Sequence, residues 1–192
     1  MPNWCANRLT VSGPQADLDS FRAKARCPPD CGSHDKATPY GLCANAFVPM
    51  PAELNDPYYN THDQPPEVRA RLLAQYGATE GYGWQHANWG VKWGFCAETS
   101  DQTNEDPCAT RIEPEDDGES LTYTYETPWG PAEPLLVAMS RQHPALTFTN
   151  EYAEPMMDFS GSIVLRAGET LSETTGDASA NEELAAEAPF FR

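Results

Sequence analysis

The side chains best suited to bind a ligand lie in residues 84–94 (WQHANWGVKWG), an aromatic segment. Three tryptophans occur within ten residues and Lys92 lies among them, so cation–π contacts are available. One interpretation is a stacking platform for a base or another flat ligand, formed by Trp84, His86, Asn88, Trp89, Lys92 and Trp93. The other is that the indoles fill a core and their N–H groups bond to nearby carbonyls. The core interpretation is favoured, because the basic neighbours that a nucleic-acid platform needs are scarce.

A second set of chemically capable residues is the array Cys27-x3-Cys31-x2-His34-x8-Cys43. Three thiolates and one imidazole suit tetrahedral zinc, and a loop poor in apolar residues would be stabilised by it. The spacing departs from the usual Cys-x2-Cys pair, so a loop with reduced thiols and no metal is the alternative. If zinc binds here, we expect a structural site, since four protein ligands leave no position open for a reacting water.

Catalytic motifs are weak in this chain. It has no glycine-rich phosphate loop, no His-Glu-x-x-His pair and no Gly-x-Ser-x-Gly turn. His86 is the best candidate for an acid or base, but a histidine beside aromatic residues is more often a buried structural side chain. We therefore assign no catalytic residue; enzymatic activity stays open, and a non-catalytic protein is the favoured interpretation.

The negative charge of the chain is concentrated in its second half. Residues 1–97 carry nine acidic and eight basic side chains, whereas residues 98–192 carry 20 and four. Such a field repels nucleic acid and attracts basic surfaces. If it serves binding, the partner-binding residues we expect are Glu113, Glu115, Asp116, Asp117, Glu119, Glu182, Glu183 and Glu187. The alternative is that the acidity only keeps the protein in solution.

Apolar periodicity predicts the elements that must position these groups. Strands are expected at residues 7–12, 46–51, 121–126, 146–152 and 161–166. Helices are expected over the segment containing Leu18, Phe21 and Ala25, and at residues 65–77 and 131–143. The order strand–helix–strand in both halves predicts an α+β fold, ferredoxin-like, with a mainly antiparallel sheet and helices packed on one face.

Composition divides the chain into four parts. Residues 1–97 form an N-terminal α+β part with a cysteine-rich insert at 26–45, and residues 98–119 form an acidic linker or loop. Residues 120–168 are expected to complete the sheet, and residues 169–192 to form an acidic, largely disordered tail. Residues 1–5 lack the features of a secretion signal and no apolar run is long enough to span a bilayer, so we expect a cytoplasmic protein.

Six segments occur in an order that a known family shows: residues 1–7 (MPNWCAN), 47–51 (FVPMP) with Glu53-Leu54, 88–93 (NWGVKW), 125–131 (YETPWGP), 152–155 (YAEP) and 158–161 (DFSG). Together they resemble the YubB-like family, which phages and conjugative plasmids encode and which has a ferredoxin-like domain. The resemblance implies a ferredoxin-like fold and an origin on a mobile element, and it implies no activity. The cysteine-rich insert, the acidic stretch and the acidic tail depart from the family pattern.

These observations favour a non-catalytic phage- or plasmid-type accessory protein that binds a host protein. The expected partner has a basic, nucleic-acid-binding surface, and the expected role is an anti-defence, anti-CRISPR-like inhibitor whose carboxylates take the place of phosphates. The alternative is a small nucleotide- or nucleic-acid-binding protein, or an enzyme, that uses the segment from Trp84 to Trp93. Direct binding of nucleic acid is disfavoured by the charge, and no membrane partner is expected.

Overall fold

The computed structural model describes residues 3–26, 41–55, 64–95 and 114–188. Its strands are Trp4–Ser12 (β1), Glu115–Asp116 (β2), Ser120–Pro128 (β3), Thr147–Glu154 (β4), Phe159–Arg166 (β5) and Glu169–Gly176 (β6). Its helices are Gln15–Ala25 (α1), Ala44–Phe47 (α2), Pro66–Tyr76 (α3), Gly81–Trp89 (α4), Glu133–Gln142 (α5) and Glu182–Glu187 (α6). None of these helices is both long and apolar enough to cross a membrane.

The strands form one antiparallel sheet in the order β2-β3-β1-β4-β5-β6. The first strand of the chain therefore lies inside the sheet, between β3 and β4. The predicted fold class, an α+β fold with a mainly antiparallel sheet, is confirmed. The predicted helices that contain Leu18, Val68 and Leu136 form as α1, α3 and α5.

Alternation in the central strands directs one set of side chains to the main core. Leu9 of β1 is in register with Tyr123 of β3, and both are buried. Phe21 of α1 packs on this face, with its ring centroid 6.0 Å from that of Tyr123 and 5.4 Å from that of Phe148. Leu136 of α5 is buried in the same core. Helices α1 and α5 thus cover the same face of the sheet.

Helix α6 lies on the opposite face. Leu184 packs with Ala6 of β1 and Ala153 of β4 in a small separate cluster. The Arg8 guanidinium on β1 pairs with Glu183 at 3.1 Å and with Glu187 at 2.9 Å. The contact of α6 with the sheet thus combines a small apolar area with two ion pairs. The longer helices α1 and α5 lie on the other face.

The prediction of a disordered tail over residues 169–192 is wrong for residues 169–188. Residues 169–176 form β6, which pairs with β5 along its length, and residues 182–187 form α6. All eight residues of β6 are exposed, so the strand lacks the alternation of apolar residues from which a strand is predicted. It is held by backbone hydrogen bonds to β5 rather than by a buried face.

Two further predictions need correction. The run at 46–51 is not a strand, since residues 44–47 form α2 and residues 48–51 form neither helix nor strand. Short apolar runs bounded by proline do not distinguish strand from helix. Within the acidic linker predicted at 98–119, Glu115 and Asp116 form β2 and pair with Thr122 and Leu121 of β3. Residues 96–113 lie outside the described residues.

Candidate functional site: an aromatic stack at one end of the sheet

Aromatic and cationic side chains form a continuous stack where β1 begins and β3 ends. The ring centroids of Trp4 and Trp93 are 6.1 Å apart. The Lys92 ammonium lies 3.5 Å from the ring centroid of Trp93 and 4.9 Å from that of Trp129. Trp129 in turn stacks on His86 with a centroid distance of 6.1 Å and an interplanar angle of 27°. We call these five residues the aromatic stack.

Helix α4 and the loop after it bring the first part of the stack into place. The Glu80 carboxylate caps the helix by accepting hydrogen bonds from the backbone N–H groups of Tyr82 and Gly83, each at 2.7 Å. The helix ends at Gly90, whose φ of 82° is left-handed. A Cβ at this position would lie 2.6 Å from the Cδ atom of Pro134, so only glycine lets the loop approach α5 so closely.

The two exposed tryptophans of the stack have unusual backbone conformations. Trp93 has a φ of 65° and Trp129 a φ of 67°, a left-handed region that bulky residues rarely adopt. The Trp93 N–H donates to the Gln85 side-chain oxygen at 3.0 Å, and the Trp129 N–H donates to the Asn3 carbonyl at 2.8 Å. The side chains are 40% and 38% exposed. Both indoles are thus held in place and remain accessible to a partner.

A buried chain of hydrogen bonds crosses three strands and ends at the turn that carries Trp129. Tyr125 donates to Asn150 at 3.0 Å, and Asn150 donates to Asn7 at 3.1 Å. Asn7 then donates to the Thr127 hydroxyl at 2.8 Å, and Thr127 donates to the Gly130 carbonyl at 2.7 Å. Because buried polar groups are costly unless they are hydrogen-bonded, this series of hydrogen bonds fixes the turn relative to the sheet.

Cys5 lies next to these hydrogen-bonded side chains, but its buried environment makes it a poor nucleophile. Burial, and then the nearby negative charge of Glu154, raise the pKa of the Cys5 thiol far above its usual range. The thiolate is the reactive form of cysteine, so a buried thiol held in the protonated state is inert.

The stack includes three of the six side chains that the sequence predicted for a stacking platform. His86, Lys92 and Trp93 belong to it, and the Nε2 atom of His86 is buried without a hydrogen-bond partner among the described residues. Trp84 and Trp89 are buried in the main core, as the core interpretation of this segment predicts. The Trp89 indole N–H donates to the Val48 carbonyl at 2.8 Å.

Asn88, the sixth predicted residue, has a local role, because its side chain donates to the Trp84 carbonyl within α4. Two members of the stack, Trp4 and Trp129, are far from Trp93 in sequence and were not predicted as site residues. The only signal for them is that each lies in a segment that carries the family resemblance, residues 1–7 and 125–131.

Several of the acidic residues predicted to bind a partner make contacts within the chain. Asp116 pairs with Arg22 of α1 at 2.8 Å. The Asp117 carboxylate accepts hydrogen bonds from the backbone N–H groups of Glu119 and Ser120, and these bonds lower its pKa. Asp116 thus ties the β2–β3 hairpin to α1, and Asp117 stabilises the turn of the hairpin.

The remaining predicted acids have different surroundings. Glu183 and Glu187 pair with Arg8, as described above. Glu115, Glu119 and Glu182 are exposed. Glu113 lies outside the described residues.

The zinc site stays a prediction. Cys27, Cys31 and His34 lie outside the described residues. Cys43 is buried before α2, where its backbone N–H donates to the Ala25 carbonyl at 2.8 Å.

Comparison with known proteins bears on the fold. Residues 109–190 match a family model described as the ferredoxin-like domain in Api92-like protein. The chain is similar to the crystal structure of a protein api92 from Yersinia pseudotuberculosis, with a TM-score of 0.51 and 12% sequence identity. The similarity covers 92% of this chain and 98% of that chain, and at this identity it shows the fold alone. No curated protein matches the sequence.

Proposed function

We propose that this chain is a non-catalytic accessory protein, of the kind that phages and plasmids carry, and that it binds a host protein through the aromatic stack. The supporting observation is that the half-exposed indoles of Trp93 and Trp129 are both held in left-handed backbone positions. Tryptophans contribute more than most residues to protein–protein affinity. Backbone strain of this kind is concentrated at functional sites, where it fixes the position of a side chain.

The stack suits a protein partner better than a base or a nucleotide. The Lys92 ammonium already covers a face of the Trp93 ring at 3.5 Å, and a stacking base would have to displace it. A nucleic acid would also meet a chain with a formal net charge of −17. The indole edges, by contrast, offer the apolar contact and the N–H donors that protein interfaces use.

The charge of the chain points to a basic partner. Exposed carboxylates such as Glu115, Glu119 and Glu182 would steer association, and the buried contact at the indoles would supply most of the affinity. A nucleic-acid-binding surface of a host defence protein is the partner we propose. The carboxylates would then take the place of phosphates, and the protein would act in the host cytoplasm as an anti-defence, anti-CRISPR-like inhibitor.

The test is quantitative affinity capture from bacterial lysate at low salt. The double variant Trp93→Ala with Trp129→Ala should bind a specific basic partner with about 30-fold lower affinity. This is the effect of removing a hot spot worth about 2 kcal/mol. Leu73→Ala is the matched control, because Leu73 is a similarly exposed apolar residue on α3. Equal capture by the double variant and the wild type would reject the aromatic stack as the binding site.

The contribution of charge is tested separately with Glu115→Gln and Glu119→Gln. These carboxylates are preferred to Asp116, which pairs with Arg22 of α1, and to Asp117, which stabilises the turn of the hairpin. The double variant Glu115→Gln with Glu119→Gln should associate more slowly with the captured partner, and its association rate should depend less on salt. The dissociation rate should change little. An unchanged salt dependence would show that the acidity of this hairpin has no role in binding.

A further inference from the structure

Strand β6 is an unusually exposed edge of the sheet. It is eight residues long, and every one of its residues is exposed. It pairs with β5 on one side, and no described strand pairs with it on the other. Every second residue of an edge strand directs its N–H and C=O groups away from the sheet, so β6 presents a row of backbone donors and acceptors.

The usual protection of an edge strand is only partly present in β6. Natural proteins guard such edges with charged side chains, above all lysine, with proline or with a bulge. The sequence of β6, ETLSETTG, contains neither lysine nor proline. Strand β6 has one local bulge, since Leu171 has no partner where the register shifts opposite Val164 and Leu165 of β5, and residues 172–176 pair regularly with residues 160–164. Leu171 at the shift is 60% exposed, which adds an apolar contact point to the edge.

Charge decides which kind of segment fits this edge. Two copies of the chain, each with a formal net charge of −17, repel one another, so pairing of β6 with a second β6 is disfavoured. Glu169 and Glu173 lie on the strand itself and favour a positively charged neighbour. Cross-strand pairs of opposite charge stabilise a sheet, whereas like charges opposite each other destabilise it.

We propose that β6 is a strand-addition site that takes an extended, basic segment of a partner protein as a seventh strand of the sheet. Main-chain hydrogen bonds would supply affinity, and Glu173 would select lysine or arginine. This inference rests on the proposed function only for the charge of the partner, since the surface is separate from the aromatic stack.

A synthetic peptide tests the site without the natural partner. The probe is an octapeptide of alternating lysine and threonine with blocked ends, compared with the same peptide N-methylated at its four central amides and with a glutamate–threonine peptide. We expect the basic peptide to slow amide hydrogen exchange within residues 169–176. N-methylation should weaken binding at least tenfold, because it removes the donors, and the acidic peptide should not bind.

Variants of the protein then separate this site from others. Glu173→Lys should weaken peptide binding at least threefold, whereas Glu119→Lys changes the net charge equally and should have no such effect. Trp129→Ala should leave peptide binding intact even if it abolishes capture of the host partner. The proposal would be overturned by protection outside β6, by equal binding of the acidic or N-methylated peptide, or by a dimer formed through β6 without peptide.

Discussion

The side-chain amide of Asn7 and the hydroxyl of Thr127 face each other across β1 and β3, joined by a hydrogen bond of 2.8 Å. Asn7 also donates to the Cys5 carbonyl at 2.8 Å, so both of its amide hydrogens are used. The Thr127 hydroxyl in turn donates a hydrogen bond to the Gly130 carbonyl. The position of Trp129 at the surface thus depends on a polar pair in the core.

Replacing Thr127 by valine should destabilise the protein by about 1–3 kcal/mol, because one buried donor of Asn7 loses its acceptor while the volume is kept. Thr124→Val is the control, since Thr124 is exposed on the same strand and its replacement should change stability by less than about 0.5 kcal/mol. Urea denaturation measures both values. Equal effects of the two substitutions would show that the pair does not hold the turn.

Trp129 should respond in an unusual way to small substitutions. Trp129→Gly should be about 1 kcal/mol more stable than Trp129→Ala, because only glycine adopts the left-handed region without penalty. At Tyr82, which is exposed within α4, the order should reverse and alanine should be the more stable by about 0.5–1 kcal/mol. The same order at both positions would contradict the strained conformation of Trp129.

Leu184 should act as the anchor of α6. Leu184→Ala removes the largest apolar side chain from the small cluster with Ala6 and Ala153, and we expect α6 to detach while the main core stays folded. Amide hydrogen exchange of residues 182–187 should accelerate at least tenfold, with little change in β1 or β3. Leu171→Ala, a substitution at an exposed leucine, should leave this exchange unchanged.

His143 should make stability depend on pH. Burial first, and then the charge of Lys24, lower its pKa from the usual 6.5 in the folded protein. The unfolded chain therefore binds a proton more readily, and stability should fall as the pH drops below about 6.5 towards the folded pKa. His143→Gln should remove that part of the loss between pH 7.5 and 5.5 in urea denaturation. A variant with the full pH dependence of the wild type would assign the effect to other groups.

Local patterns in the sequence identified the elements that bury one regular face. In β1 and β3 apolar residues alternate, and in α1 and α5 they recur at helical spacing, because burial against a core imposes the period of the backbone. The run at 46–51 was mispredicted because its four apolar residues fit either period. The core role of Trp84 and Trp89 was also accessible from sequence, since clustered aromatic residues with few charged neighbours usually fill an interior.

By itself, then, the sequence determined the α+β class, the main helices and strands, and the acidity of the second half. Tertiary structure alone decided which side chains meet. Trp4 and Trp129 join Trp93 because β1 and β3 are neighbours in the sheet, although β1 ends at Ser12 and β3 begins only at Ser120. Strand β6 exists because β5 offers it backbone partners, and that pairing leaves no trace in side-chain periodicity. Asp116, Glu183 and Glu187 pair with arginines that are distant in the sequence and that folding brings to them.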